Sequence, residues 1–317
     1  MTETRDIQIK NTQIREIQWK NLRGIQLENQ LLSVVVLPSL GGKLASVYHK
    51  ERKFELAAQY RGESYRIPQF GADFSQYDAS GLDDAFPNIV GAELELDGKK
   101  HYYPDHGEIW SSPFHVEYLP EGVGLSYESE IFGYTYEKKI FLSGDRICLE
   151  YDIQNKRTEP LPCIWTFHGL VRYEEDMELL YGEDVRAFRN VFESRELGEV
   201  DRIYKRENDI YNFERVPHME SETMVKYYAE GRRQKGFCGY RYPSAGLECR
   251  YHYDAEIIPY LGVWITAGGY RGDYNCALEP ANGYYDDIRI ARENKSLYYL
   301  KREKPLRFGM ALEVCRI

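Results

Sequence analysis

Three residues carry the chemistry this sequence offers. His106 stands in Tyr102-Tyr-Pro-Asp-His-Gly-Glu-Ile-Trp110, where Pro104 and Gly107 shape a loop that holds an imidazole beside Asp105 and Trp110. His168 stands in Ile164-Trp-Thr-Phe-His-Gly-Leu-Val-Arg172, an apolar strand that delivers one titratable residue next to a glycine. Glu279 stands in Tyr274-Asn-Cys-Ala-Leu-Glu-Pro-Ala-Asn-Gly283. Cys276 to Leu278 reads as a buried strand end, and Pro280 is expected to stop the chain from continuing as a central strand. A carboxylate there is partly desolvated, which raises its pKa and suits it to general-base work. Each residue also has a plainer reading: a hydrogen-bonded core histidine, or a rim carboxylate paired with a Lys or Arg.

Asp83 and Asp84 lie between Gly81 and Phe86-Pro87. Two acids in a turn act as a cap or an Asx-turn, or aim a carboxylate into a cleft. Trp110, Trp165 and Trp264 each fall near one of these segments. Their flat faces suit the C–H faces of a sugar ring, and equally the filling of a large β core.

The elements that must position these residues are strands. Leu31 to Leu37 is a β-branched run closed by Pro38. Residues 122–131, 135–142 and 146–153 alternate apolar and polar side chains between turn signals. Residues 93–103 read as a hairpin around Asp97-Gly98. Helical signals are confined to 170–180 and 221–230, each short and poorly capped. The stretch 180–235, rich in charge, reads as an excursion from the sheet. With no linker, low-complexity block or repeat, residues 1–317 read as one all-β domain, a large single-domain β-sandwich.

Composition narrows the function. Of 317 residues, 41 are Lys or Arg and 51 are Asp or Glu, so the net charge is −10. An acidic surface without a basic tail disfavours nucleic-acid binding. No run of ~18 apolar residues is present to span a membrane, and the opening MTETRDIQIK lacks a secretory apolar region. Six scattered cysteines without CxxC spacing read as reduced thiols of a cytoplasmic protein. GxSxG, P-loop, HxH and HExxH signatures are missing, which disfavours serine hydrolase, nucleotide and metal chemistry.

Taken in order, these segments resemble the aldose 1-epimerase (galactose mutarotase-like) family. Leu37-Pro-Ser-Leu-Gly-Gly-Lys-Leu-Ala-Ser46 is similar to its opening strand and turn. Gly81 to Ile89 is similar to its Phe-Pro loop. Pro104-Asp-His-Gly-Glu-Ile-Trp110 resembles its first His-Gly motif, closest to a bacterial subgroup with Pro-Asp-His-Gly-Glu-x-Trp. Trp165 to His168 resembles the second histidine motif. Tyr260 to Trp264 and Ala277-Leu-Glu-Pro280 resemble the closing strand and the Glu-Pro motif.

The resemblance implies a β-supersandwich with a cleft on one sheet and an isomerase that interconverts the α and β anomers of an aldose. It makes Glu279 the general base on the anomeric hydroxyl and His168 the general acid on the ring oxygen. His106 binds hydroxyls, joined by Asp83, Asp84, Lys43, Trp110, Trp264 and Arg172 as substrate contacts. It implies no cofactor and no metal, a monosaccharide or sugar derivative as partner, and a monomer or homodimer. The family's Asn-Arg after the Phe-Pro loop is replaced here by Ile89-Val-Gly91. A phosphorylated sugar requires a cationic pocket, for which Lys43, Arg61 and Arg172 are the candidates. The alternatives are a carbohydrate-binding protein without turnover, and a hydrolase or lyase on the same sandwich. A hydrolase needs two carboxylates about 5–10 Å apart across a cleft.

Overall fold

The computed structural model describes residues 12–317; the opening segment used for the localisation expectation lies outside them. The chain is almost entirely antiparallel β. Two large sheets, of twelve and eight strands among the described residues, hold most of it. The site sheet is built around six strands, labelled in chain order: β1 (Lys43–His49), β2 (Leu82–Ala85), β3 (Thr166–Arg172), β4 (Thr223–Ala229), β5 (Tyr260–Ala267) and β6 (Tyr274–Ala281). Across the sheet their order is β1-β2-β3-β6-β5-β4. Strands at Gln13–Trp19, Leu22–Glu28 and Leu32–Leu37 extend the β1 side, and Ala187–Asn190 and Ile203–Lys205 extend the β4 side. The second sheet includes Gly122–Ser129, Tyr134–Ser143, Arg146–Asn155 and Leu306–Arg316.

The alternating runs foreseen at 122–131, 135–142 and 146–153 are strands of this second sheet. The hairpin at 93–103 closes through Asp97 and Gly98, with φ of 51° and 71°. That pair of positive values is what a two-residue type I′ turn requires.

Tyrosine fills the layer between the sheets. Tyr134, Tyr136, Tyr151, Tyr227, Tyr240 and Tyr251 are buried there with Phe167 and Trp165. A buried phenol needs a partner for its hydroxyl. Tyr136 and Tyr151 find one in Asp84, at 3.1 and 3.0 Å, and Lys138 binds the same carboxylate at 2.8 Å. Trp165 donates to the Tyr136 hydroxyl at 2.9 Å. A buried charge pair satisfied this fully resists disruption, because removing one partner strands the other in a low-dielectric interior.

Four local expectations are corrected. Residues 170–180 are not helical: they finish β3 and begin the strand Glu178–Tyr181. Residues 221–230 contain β4, because Thr223, Val225, Tyr227 and Tyr228 suit a pleated, buried surface. The charged stretch 180–235 is not an excursion, since it supplies β4 and two further strands of the site sheet. Pro280 does not end its strand either. It lies inside β6, in the gap of the β3–β6 ladder between the pairs Thr166–Ala281 and Leu170–Ala277. A residue without an N–H is tolerated where the ladder is already open. The helix α1 (Ile288–Glu293), capped by Asp287, follows β6. No helix among the described residues is long and apolar enough to cross a membrane.

Candidate active site

Strand pairing sets the site. Asp83 on β2 is paired with His168 on β3. The β3–β6 register on either side of the gap places His168 across from Glu279. Gly262 on β5 is paired with Glu279, and Tyr228 on β4 with Gly262. One row, Asp83–His168–Glu279–Gly262–Tyr228, therefore crosses five strands on a single face. Directly opposed residues have Cβ atoms about 4.5–5.5 Å apart. Gly262 is the small member of the row. A Cβ there would lie 3.0 Å from Glu279 Oε2 and 3.0 Å from the Tyr228 ring. The face opens into a cavity of about 400 Å³, lined by His106, His168, Lys226, Trp264, Phe74 and Asn275 among others. That volume lies in the usual range of about 300–1,000 Å³ for small-molecule sites.

His168 Nδ1 is 2.9 Å from Asp83 Oδ1. With an anionic carboxylate as partner, Nδ1 carries the proton and Nε2 is the nitrogen left for a ligand. Asp83 is itself held by Lys43, whose Nζ is 3.4 Å from Oδ2. Burial pushes the Asp83 carboxyl up, but Lys43 and His168 outweigh it and hold it below the usual carboxylate range. Lys43 also binds Asp78 at 2.7 Å. Burial works against its charge, yet the two carboxylates raise its pKa. The result is a buried relay, Lys43–Asp83–His168, that fixes the orientation of the imidazole.

Glu279 is 1% exposed. Its Oε2 accepts from Lys226 Nζ at 2.6 Å, and its Oε1 has no hydrogen-bond partner. Lys226 is also 3.3 Å from Asp286 Oδ2, and Asp286 Oδ1 accepts from Tyr228 at 2.6 Å. Desolvation opposes the charge on Lys226, but Asp286 and Glu279 prevail and raise its pKa. Buried acceptors are nearly always paired, so the unpartnered Oε1 is an exception within this face.

His106 forms the wall. It adopts φ of 57°, followed by Gly107 at 72°. A Cβ on Gly107 would fall 2.1 Å from the Phe86 carbonyl oxygen, so only glycine fits this turn. The His106 ring stacks on Phe74 with centroids 3.9 Å apart and lies 5.0 Å from the His168 ring. Its Nδ1 is 2.9 Å from Asp105 Oδ1. Burial raises the Asp105 carboxyl less than the hydrogen bond and charge of His106 lower it.

Of the residues expected at the site, His106, His168 and Trp264 line the cavity, Glu279 and Asp83 lie in the row behind it, and four do not contact it. Asp84 points the other way, into the interlayer core, because adjacent strand residues face opposite sides. Lys43 lies behind Asp83, 3% exposed. Trp110 packs edge-on against Phe74 at 5.0 Å and donates to the Asp105 carbonyl at 3.0 Å, supporting the wall from outside. Arg172 lies beyond the cavity, paired with Glu174 at 2.6 Å. Lys43, Arg61 and Arg172 therefore form no cationic pocket; Arg61 instead sits over the Tyr274 ring. Sequence reasoning missed Lys226, Tyr228 and Asp286. The first two carried a signal, since Lys226 and Tyr228 stand two apart in a strand-like run.

No family model matches the chain, and no curated protein matches it. Solved structures do. A protein from Synechocystis sp. PCC 6803 is 15% identical, with a TM-score of 0.72 over 96% of this chain and all of that one. A galactose mutarotase-related enzyme from Lactobacillus acidophilus is 14% identical, with a TM-score of 0.68 over 92% of this chain and 97% of that one. A galactose mutarotase-like protein from Lactobacillus casei is 14% identical, with a TM-score of 0.67 over 92% of this chain and all of that one. At such identities the likeness is one of architecture: this chain has the galactose mutarotase-like β-sandwich fold.

Proposed function

We propose that this chain is an aldose 1-epimerase-like isomerase, which binds a monosaccharide or sugar derivative in the cavity and interconverts its α and β anomers. The observation that carries the reading is the row itself. An imidazole with a free Nε2 and a carboxylate with an unpartnered Oε1 are cross-strand neighbours on one face. Glu279 Oε1 takes the proton of the anomeric hydroxyl while His168, entering the cycle as the imidazolium with a proton on each ring nitrogen, donates the one on Nε2 to the ring oxygen. The bond between the anomeric carbon and the ring oxygen breaks, leaving an aldehyde and a free ring hydroxyl. Rotation about the adjacent carbon–carbon bond presents either face, and reclosure returns both protons. Asp83 stabilises the imidazolium that the first step consumes. His106 and Trp264 position the ring. Each acid or base contributes about 10²–10⁴-fold.

A second reading has an observation in its favour. Lys226 already occupies Glu279 Oε2 at 2.6 Å in a buried ion pair, an arrangement that also suits a carbohydrate-binding protein without turnover. Magnetisation-exchange NMR on a panel of reducing sugars separates the two. Accelerated interconversion that Glu279→Gln abolishes supports the isomerase. Binding without acceleration supports the second reading.

A further inference from the structure

We infer that the substrate is a neutral aldose carrying an apolar alkyl, acyl or aryl substituent on a carbon other than the anomeric one. The inference rests on the isomerase reading and names the substrate class of that site. The cavity has two unlike halves. One, at the sheet, carries the polar side chains of His106, His168, Lys226, Asn275 and Asp286. The other is a wall of Ile89, Val90, Val191, Phe192 and Ile290. Val90 is 40% and Phe192 45% exposed, so bulky apolar groups face solvent at the mouth.

This wall is fastened to the site by backbone bonds. Ile89 O accepts from His106 N at 2.5 Å, Val90 N donates to Asp286 O at 3.1 Å, and Val191 N donates to Lys226 O at 3.1 Å. Each apolar segment is therefore fixed relative to a polar residue of the cavity. A hydroxyl-covered sugar facing the wall would lose water without gaining hydrogen bonds. An apolar substituent removes the exposed surface from water instead.

Charge argues the same way. Among the described lining residues, Lys226 is the one Lys or Arg, and Glu279 and Asp286 both hold it. Asp287, also in the lining, pairs with Arg289 at 2.6 Å. A phosphate or carboxylate on the substrate would meet carboxylates without a free cation.

The test compares a hexose with its primary-hydroxyl butanoyl ester, benzyl ether and phosphate. Anomer exchange is read by magnetisation-exchange NMR and binding by calorimetry. The ester and ether are expected to exceed the parent hexose at least tenfold in kcat/KM, and the phosphate to fall below it. In Phe192→Ser and Ile290→Ser, checked by circular dichroism for folding, the ester-to-parent ratio should collapse towards one. Equal turnover of ester, ether and parent, or preference for the phosphate, overturns the inference and leaves the isomerase reading standing. Tight binding of ester and ether without exchange supports the substrate class and overturns the isomerase. Neither binding nor exchange with any compound overturns both.

Discussion

Replacing Lys226 by Met leaves two carboxylates in the site without their shared cation. In the folded protein Lys226 Nζ lies 2.6 Å from Glu279 and 3.3 Å from Asp286. The Glu279 side chain is 1% exposed and that of Asp286 17%. Breaking a buried pair by removing one partner costs about 3–5 kcal/mol. The lower end, about 3 kcal/mol, applies here because Asp286 keeps its bond to Tyr228 and some contact with solvent. At about 2.1 cal/mol/K per residue the unfolding entropy of 317 residues is about 0.67 kcal/mol/K, so a drop in Tm of about 4–5 °C is expected. The loss depends on pH. Without Lys226, burial and mutual repulsion raise a carboxyl of the pair above its unfolded value of about 4. A raised carboxyl costs nothing while protonated in both states, and the cost grows as pH rises through its folded pKa. The deficit relative to wild type should thus be largest near about pH 7 and shrink towards about pH 4. Urea unfolding of both proteins at several pH values reads it directly. A variant as stable as wild type at neutral pH, or a deficit independent of pH, would refute the reasoning.

Four further outcomes follow from the same geometry. Gly262→Ala places a methyl 3.0 Å from Glu279 Oε2 and from the Tyr228 ring, so anomer exchange should fall at least about tenfold while circular dichroism stays unchanged. His168→Asn should lower the exchange rate about 10²–10⁴-fold, read by the same NMR experiment, with little change in Tm. Asp83 is held below the usual carboxylate range by Lys43 and His168, so its contribution to stability is present above its unfolded pKa and disappears as pH falls through its folded value. Asp83→Asn should flatten that acid limb of the stability curve, measured by urea titration below about pH 4. Asp84→Ala strands Lys138 in the interlayer core and should cost about 3–5 kcal/mol by denaturation, whereas its neighbour Asp83 acts on the site.

The contrast between those two acids shows how far the sequence could be read. Period-two alternation made the strands at 122–131, 135–142 and 146–153 visible, and Asp97-Gly98 announced its turn through residues that accept positive φ. Gly and Pro flagged the loop of His106 and the end of β2. Asp83 and Asp84 read as a turn, yet they lie on a strand and so face opposite sides, and which one meets the cavity depends on pairing with β3. Lys138, polar at an inward position of its strand, was the available clue to the buried partner of Asp84. Lys226 was missed because 221–230, which mixes Lys with Met and Ala, was read as a short helical segment rather than as the strand on which Lys226 and Tyr228 share a face. Asp286 sits in a turn between β6 and α1, where sequence spacing says nothing about proximity to Tyr228, 58 residues away. Trp110 and Arg172 adjoin the right motifs, yet packing turns one outward behind Phe74 and carries the other past the cavity.

Anomer exchange in this cavity requires one sugar to bridge His168 and Glu279. A crystal structure of Glu279→Gln with a reducing sugar bound measures this most directly. The ring oxygen should lie within about 3.2 Å of His168 Nε2, and the anomeric hydroxyl within about the same distance of the residue 279 side chain. A sugar seated in the cavity with its anomeric carbon turned to Val90 and Phe192, or bound away from β3 and β6, would contradict it.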